Sequence, residues 1–276
     1  MEDKLGDRMK HYEGMEADRR FLPLLPVVAR IDGRSFSSFT KGMTRPYDAK
    51  MSQCMVATTT YLAKHTNAVI GYTQSDEITL VWYSDQISSQ IFFDGRIMKM
   101  TSQLAAQATI CFYRAVLDVM PEYKDKLPTF DARVWTVPSK IEAINSLLWR
   151  EADATKNSVS MAARHYFSHK ELHGKSWSQM QDMLHSKGIN WNKYEPIFKR
   201  GVYLQRTSIC KPFTTEEIEL LPAKHAARSN PELTIERQEF VLQPISLFKL
   251  ENKEAFVFSG EKPVTKAETA KCIPPN

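Results

Sequence analysis

Pro26-Val27-Val28-Ala29-Arg30-Ile31-Asp32-Gly33-Arg34-Ser35-Phe36-Ser37 is the stretch on which the reading of the fold turns. Val27 to Ile31 is a short apolar run with β-branched residues, which predicts a largely buried strand. The strand is expected to stop at Asp32-Gly33-Arg34, where glycine permits a tight turn. A carboxylate then stands at a strand end.

Working outward, Met51, Met55, Val56, Tyr61 and Leu62 fall mostly at helical spacing, which predicts an amphipathic helix over Ala49–His65. Ala68–Tyr72 and Ile78–Trp82 are β-rich runs separated by Thr73-Gln74-Ser75-Asp76-Glu77, a hairpin with acids at its tip. A second helix is expected from about Phe92 to Leu117, carrying Arg96 and Lys99 near its start, with Pro121 just past its end. Phe130 to Val137 alternates as a strand and stops at Pro138. The order strand, helix, strand, strand, helix, strand is a split βαβ, so the fold class is α+β, a ferredoxin-like palm with an antiparallel sheet flanked by helices. In that topology the first and third strands are central neighbours, and Asp32 and Asp76 converge.

The second half reads as more helical. Helices are expected at Ile141–Leu148, Trp149–Ser168 and Trp177–His185, with late strands at Lys199–Gln205 and Phe240–Leu247. The expected organisation is a palm catalytic core over 1–138 and a helical C-terminal extension over 139–276 completing the same compact body. A polar tail follows after about residue 260.

Of 276 residues, 42% are hydrophobic and 25% charged, which excludes disorder of the whole chain. Lys plus Arg number 37 against 32 acids, a net charge of +5 that permits an anionic partner without demanding one. Cys54, Cys111, Cys210 and Cys272 form no close pair, suggesting neither a zinc site nor a disulfide framework and fitting a cytoplasmic protein. No apolar stretch reaches the roughly 18 residues of a membrane span.

Mg²⁺ takes oxygen ligands in octahedral array, and polymerase-type sites supply one or two carboxylates plus substrate phosphates. Asp32 and Asp76 suit such a two-ion site. The Gly33 carbonyl can add a ligand, and Glu77 can tune the site. Each Asp alone is ordinary turn chemistry, but the two together on a palm-like topology are a rarer coincidence. Arg34, Lys41, Arg45, Arg96 and Lys99 are candidate phosphate contacts, and the backbone of Ser35, Phe36 and Ser37 is a candidate phosphate cradle. His165, His169 and His173 have i, i+4 spacing but no carboxylate within the series, so an ordinary polar helix is the better reading. Trp191, flanked by Asn190, Asn192 and Lys193, is the best candidate for base stacking.

Four fragments occur in order: Arg30-Ile31-Asp32-Gly33-Arg34-Ser35-Phe36, Gln74-Ser75-Asp76-Glu77, Phe130-Asp131-Ala132-Arg133-Val134, and Trp149-Arg150-Glu151-Ala152-Asp153 followed by Asn157-Ser158. Together they resemble the tRNA-histidine guanylyltransferase family and its bacterial, archaeal and viral relatives. The resemblance implies a polymerase palm used in the reverse, 3′-to-5′ direction, adding nucleotides to the 5′ end of tRNA with two Mg²⁺ ions and with GTP and ATP as substrates. It makes Asp32, Gly33 and Asp76 the metal ligands, with Glu77 beside them in the catalytic set. It makes Asp32 to Ser37, Arg45, Ser75, Asp76, Arg96 and Lys99 the nucleotide surface. Arg133, Arg150, Asn157, Asn190, Lys199 and Arg200 become the expected RNA contacts. Dimers or tetramers are expected on the same ground.

Thr155-Lys156-Asn157-Ser158 stands where the eukaryotic enzymes read His-Ile-Asn-Asn. This departure shifts weight from strict histidine-tRNA recognition toward template-directed repair of tRNA 5′ ends. The competing readings are a palm-fold nucleotidyl cyclase, which lacks the Trp-Arg-Glu-Ala-Asp block, and a catalytically silent tRNA-binding protein.

Overall fold

The computed structural model describes residues 4–230 and 232–266. Cys272 and the last part of the polar tail lie outside the described residues. The elements run α1 (Leu5–Ala17), β1 (Val27–Arg34), α2 (Phe36–Phe39), α3 (Ala49–His65), β2 (Ile70–Gln74), β3 (Glu77–Trp82), α4 (Ile97–Val119), β4 (Thr129–Thr136) and α5 (Lys140–Tyr166). They continue with α6 (His169–Leu172), α7 (Trp177–Ser186), α8 (Pro196–Arg200), β5 (Val202–Pro212), α9 (Thr215–Leu220), β6 (Thr234–Gln243) and α10 (Lys253–Phe258). The six strands form one sheet in the order β4-β1-β3-β2-β5-β6, antiparallel at every pairing. β1 and β3 are central neighbours, as the split βαβ pattern requires.

Alternation along β1 divides the core. Val27, Ala29 and Ile31 face α3 and α4, whereas Val28 faces the cluster built with α5 and α10. α3 starts where Asp48 accepts a hydrogen bond from the Met51 N–H, an N-cap that satisfies an otherwise orphan donor. α4 buries Met100, Leu104, Ala108, Phe112 and Val116, a stripe at four-residue spacing laid on the sheet. A third cluster, with Val159, Ala162, Leu172, Leu184 and Trp191, fastens α6 and α7 to the far half of α5.

Several boundaries differ from the sequence reading. β1 does not stop at Asp32-Gly33. It runs to Arg34, because β4 supplies partners through Asp32↔Asp131, Gly33↔Phe130 and Arg34↔Thr129. Glycine is needed at 33 for a different reason than a turn: a Cβ there would lie 2.3 Å from the Phe36 ring. The left-handed residue is Ser35, at φ +56°. The two helices expected on either side of Leu148 are one 27-residue helix, α5. No Gly or Pro interrupts it, and Ala143, Leu147, Ala154, Ser158 and Ala162 keep one face buried throughout. Helix α4 starts at Ile97, after a short 3-10 turn at Phe92–Gly95.

The second half is also less purely helical than expected. Lys199 and Arg200 close α8, and the late strands are the longer β5 and β6. Only Val202–Gln205 of β5 pairs with β2. Beyond Gln205 the two late strands continue as a ribbon that pairs only with itself, braced at its end by the Glu217–Arg237 ion pair. At the other end of the chain, α1 has no buried residue. No helix among the described residues is long and apolar enough to cross a membrane.

Candidate active site

The β2–β3 turn and the end of β1 bring two carboxylates together. The Gly33 N–H donates to the Asp76 carbonyl at 3.1 Å, and Asp32 lies opposite Glu77 in the β1–β3 ladder. Ser75 takes φ +48° to make the turn, and its hydroxyl donates to Asp76 Oδ1 at 3.0 Å. Burial raises the Asp76 pKa above the ordinary carboxylate value. The Ser75 hydrogen bond opposes the rise, and the nearby Asp32 charge adds to it. The sheet end therefore brings two carboxylates together, with no cation among the described residues bonded to Asp76.

Glu77, next in sequence, is handled differently. It is 5% exposed, and Arg150 of α5 grips both of its oxygens, Nε to Oε1 at 2.6 Å and Nη2 to Oε2 at 2.7 Å. Arg150 also donates to Asp153 at 2.8 Å and lies 4.5 Å from the Trp149 ring centroid. Burial pushes the Glu77 carboxyl up while its bonds to Arg150 pull it back. Burial opposes the Arg150 charge, yet Glu77 and Asp153 together raise that guanidinium above its usual value. Glu151 points to another partner set, accepting from the Tyr203 hydroxyl at 2.8 Å, the Leu247 N–H at 2.9 Å and the Ser246 hydroxyl. The Trp149–Asp153 block is thus a clasp, holding α5 to the acidic hairpin with one residue and to the later chain with the next.

A cleft of about 560 Å³ opens over this sheet end. Arg30, Asp32, Ser75, Asp76 and Glu77 form its floor, with Ser37, Thr44 and Arg45 on one wall. Asn157 and Arg164 of α5 and Arg200 of α8 contribute to its lining. Tyr47 joins the walls: it stacks on Phe198 at 5.3 Å, and its hydroxyl donates to the Ser158 carbonyl at 2.7 Å.

The structure gathers Asp32, Ser37, Arg45, Ser75 and Asp76, expected on the nucleotide surface, and Asn157 and Arg200, expected as RNA contacts, around one cleft. Phe36 reaches the lining, but its ring is core, packed 5.0 Å from Phe130 and 5.4 Å from Phe112. Arg34 and Ser35 are exposed and outside the lining. Arg96 and Lys99 are not brought to it either. α4 begins beside residues 19–21, through Ile97 N–H to Arg19 O and a bridge between Arg20 and Arg96, and those residues precede the opposite end of β1.

Three of the expected RNA contacts, Arg150, Asn190 and Lys199, are engaged within the protein. Arg150 is buried and committed to Glu77 and Asp153, so its charge is spent inside the protein. Asn190 caps a 3-10 turn by accepting from the Asn192 N–H, and Lys199 donates to the Asn192 carbonyl at 2.7 Å. Arg133 is exposed on β4 beside Asp131. Trp191, the expected stacking residue, is 6% exposed and donates its indole N–H to Ser158 Oγ at 3.0 Å. The histidine series holds no metal cluster: among the described residues no three His, Cys, Asp or Glu side chains converge for an ion. Arg164 was missed, although Asn157, Met161 and Arg164 sit at i, i+4, i+7 on α5 and all line the cleft.

A palm-like antiparallel sheet with two carboxylates at the end of its central strands defines the class, an α+β nucleotidyltransferase-type architecture. The family model for tRNAHis guanylyltransferase matches residues 6–138. A bacterial tRNA(His) guanylyltransferase-like protein solved in complex with ATP superposes with a TM-score of 0.75 at 30% identity, covering 92% of this chain and 99% of its own. Another such bacterial structure, in complex with GTP, gives 0.68 at 26% identity, covering 93% of this chain and 98% of its own. The tRNA(His) guanylyltransferase of Schizosaccharomyces pombe is 28% identical over 70% of this chain and 77% of its own length. The chain belongs to the tRNA(His) guanylyltransferase family.

The Arg150–Glu77 fork generates a double-mutant prediction. Arg150→Met alone leaves a buried carboxylate unpaired and is expected to cost about 3–5 kcal/mol in urea unfolding. Adding Glu77→Leu should recover most of that loss, whereas Arg150→Lys should not rebuild the two-pronged contact. Equal stability of the single and double variants would show that the pair is not coupled.

Proposed function

We propose that this chain is a Mg²⁺-dependent nucleotidyltransferase that adds nucleotides, GTP preferred, to the 5′ end of tRNA in the 3′-to-5′ direction. The observation that carries the reading is the convergence of Asp32 and Asp76 in an open cleft, held by the Gly33–Asp76 backbone hydrogen bond. The donor set suits Mg²⁺: hard oxygens, few of them, with like charge unrelieved by any cation bonded to Asp76. Asp32, the Gly33 carbonyl and Asp76 would hold the ions, which supply activation of an attacking hydroxyl and charge stabilisation at a leaving pyrophosphate.

The chain's own residues supply binding and orientation. Arg45, Arg164 and Arg200 offer cationic forks to phosphate oxygens around the cleft, and Ser37 and Asn157 offer neutral hydrogen bonds beside them. Arg150 keeps Glu77 in place, and with it the turn that aims Asp76. Arg96 and Lys99 keep a nucleotide role in this reading only if another copy of the chain presents them to the cleft. α1 favours such self-association. Its 13 residues bury nothing, Leu5, Met9 and Tyr12 expose one apolar face, and an isolated helix of that length is marginal in water.

Asp32→Asn and Asp76→Asn are each expected to lower incorporation of labelled GTP into a 5′-truncated tRNA by at least a thousandfold while leaving the circular-dichroism melt intact. Mg²⁺ should raise the melting temperature of the parent protein and not of either variant. Turnover near normal in either variant would rule out the metal assignment.

Self-association predicts a dimer or tetramer in analytical ultracentrifugation, converted to smaller species by Met9→Glu with Tyr12→Glu. A monomeric parent protein refutes it.

Thr155 and Lys156 replace a base-reading pair of the eukaryotic enzymes, and the Thr155 hydroxyl is already donated to the Glu151 carbonyl at 2.9 Å. Backbone attraction then outweighs base reading. Truncated tRNAs of several identities should be extended at rates within about tenfold, following the base opposite the added nucleotide. A preference for the histidine tRNA of about a hundredfold, worth roughly 2.7 kcal/mol, and indifferent to that base, would restore a dedicated guanylyltransferase.

A further inference from the structure

The α5-facing side of β4 is open at Asp131 and Arg133, whose side chains are 51% and 56% exposed. At its margin stands Trp149, itself 50% exposed. Two guanidinium groups brace the indole, Arg150 at 4.5 Å and Arg30 at 6.0 Å from the ring centroid. Arg30 lies between Thr79 on β3 and Arg133 on β4 in the ladder. Its Nε and the Thr79 hydroxyl oxygen are both buried without a hydrogen-bond partner. Arg30 and Asp32 point to the same side of β1, roughly 7 Å apart along the strand. Arg30 thus ties the braced ring to the strand that carries Asp32.

An exposed indole braced by two guanidinium groups, beside the open Arg133 of β4, suits a base face rather than a protein core. We propose that Trp149 is the platform on which the terminal base pair of the RNA acceptor end stacks, presenting its 5′ phosphate toward Asp32 and Asp76. Arg133 then follows the RNA backbone across the open face of β4. The inference rests on the tRNA reading above and assigns to one residue the positioning of the RNA end. The stacking role expected of Trp191 passes to Trp149, because of the two only Trp149 is open to solvent.

The test uses the full chain and a short acceptor-stem RNA duplex carrying a 5′ monophosphate and one unpaired nucleotide opposite the vacant 5′ position. Fluorescence anisotropy gives the Kd, and GTP incorporation gives separate KM values for RNA and GTP. Trp149→Ala should weaken duplex binding about tenfold or more, because a base loses its aromatic partner. The KM for GTP should stay within about twofold. Trp149→Tyr should keep affinity within about threefold. Trp149→Leu retains apolar cover over both guanidiniums without a π face, and it should bind as weakly as the Ala variant. Leu binding as tightly as Tyr, or a change confined to the GTP KM, overturns the proposal. The anisotropy needs no turnover, so RNA binding that depends on the ring with no incorporation would refute the activity while supporting the platform.

Discussion

The two-pronged bond between Arg150 and Glu77 is the constraint on which the site depends. Glu77 opens β3, faces Asp32 across one ladder and Gln74 across another, and directly follows Asp76. Fixing its carboxylate fixes the turn. A buried ion pair contributes little net stability once both charges have left water, but an unpaired member is costly, so the pair selects one placement of α5 over all others. Asp153 and the Trp149 ring complete the guanidinium's surroundings. Glu151 then anchors the neighbouring helix face to Tyr203 on β5 and to Ser246 and Leu247. One turn of helix thereby sets the acidic hairpin and the late strands in register.

This arrangement separates two kinds of acid at one end of the sheet. Asp32 and Asp76 are left with like charge for a neighbour, whereas Glu77 is neutralised by a buried arginine. Charge at the cleft is thus held at two positions and cancelled at a third. Arg164 and Arg200, from α5 and α8, give the cleft a cationic counterpart to its acidic floor.

The elements that hold the acids were legible because their signals are local. Two β-rich runs on either side of an acidic turn mark β2 and β3, and apolar residues at helical spacing mark α3. Asp32-Gly33 misled because an Asp-Gly step carries the same composition whether it turns or pairs; the partner that settled it, β4, lies about a hundred residues on. Arg150 and Trp191 misled for a related reason. Charge and polar flanks mark a surface residue until a buried counter-charge or hydroxyl arrives from elsewhere, here Glu77 and Ser158. Arg164 was readable from helical spacing, since the expected helix Trp149–Ser168 already carries Asn157, Met161 and Arg164 at i, i+4, i+7.

The contact between Gly33 and Phe36 bears on how this site can change over time. Any side chain at 33 meets the Phe36 ring, and that ring is wedged among Phe39, Phe112 and Phe130. Shrinking Phe36 to make room would leave a void in the aromatic cluster, which carries its own penalty. Neither position can drift first without loss. A glycine kept at 33 through descent would therefore testify to the packing beneath it as much as to any ligand above it, and the two pressures can be told apart only where the phenylalanine has also been replaced.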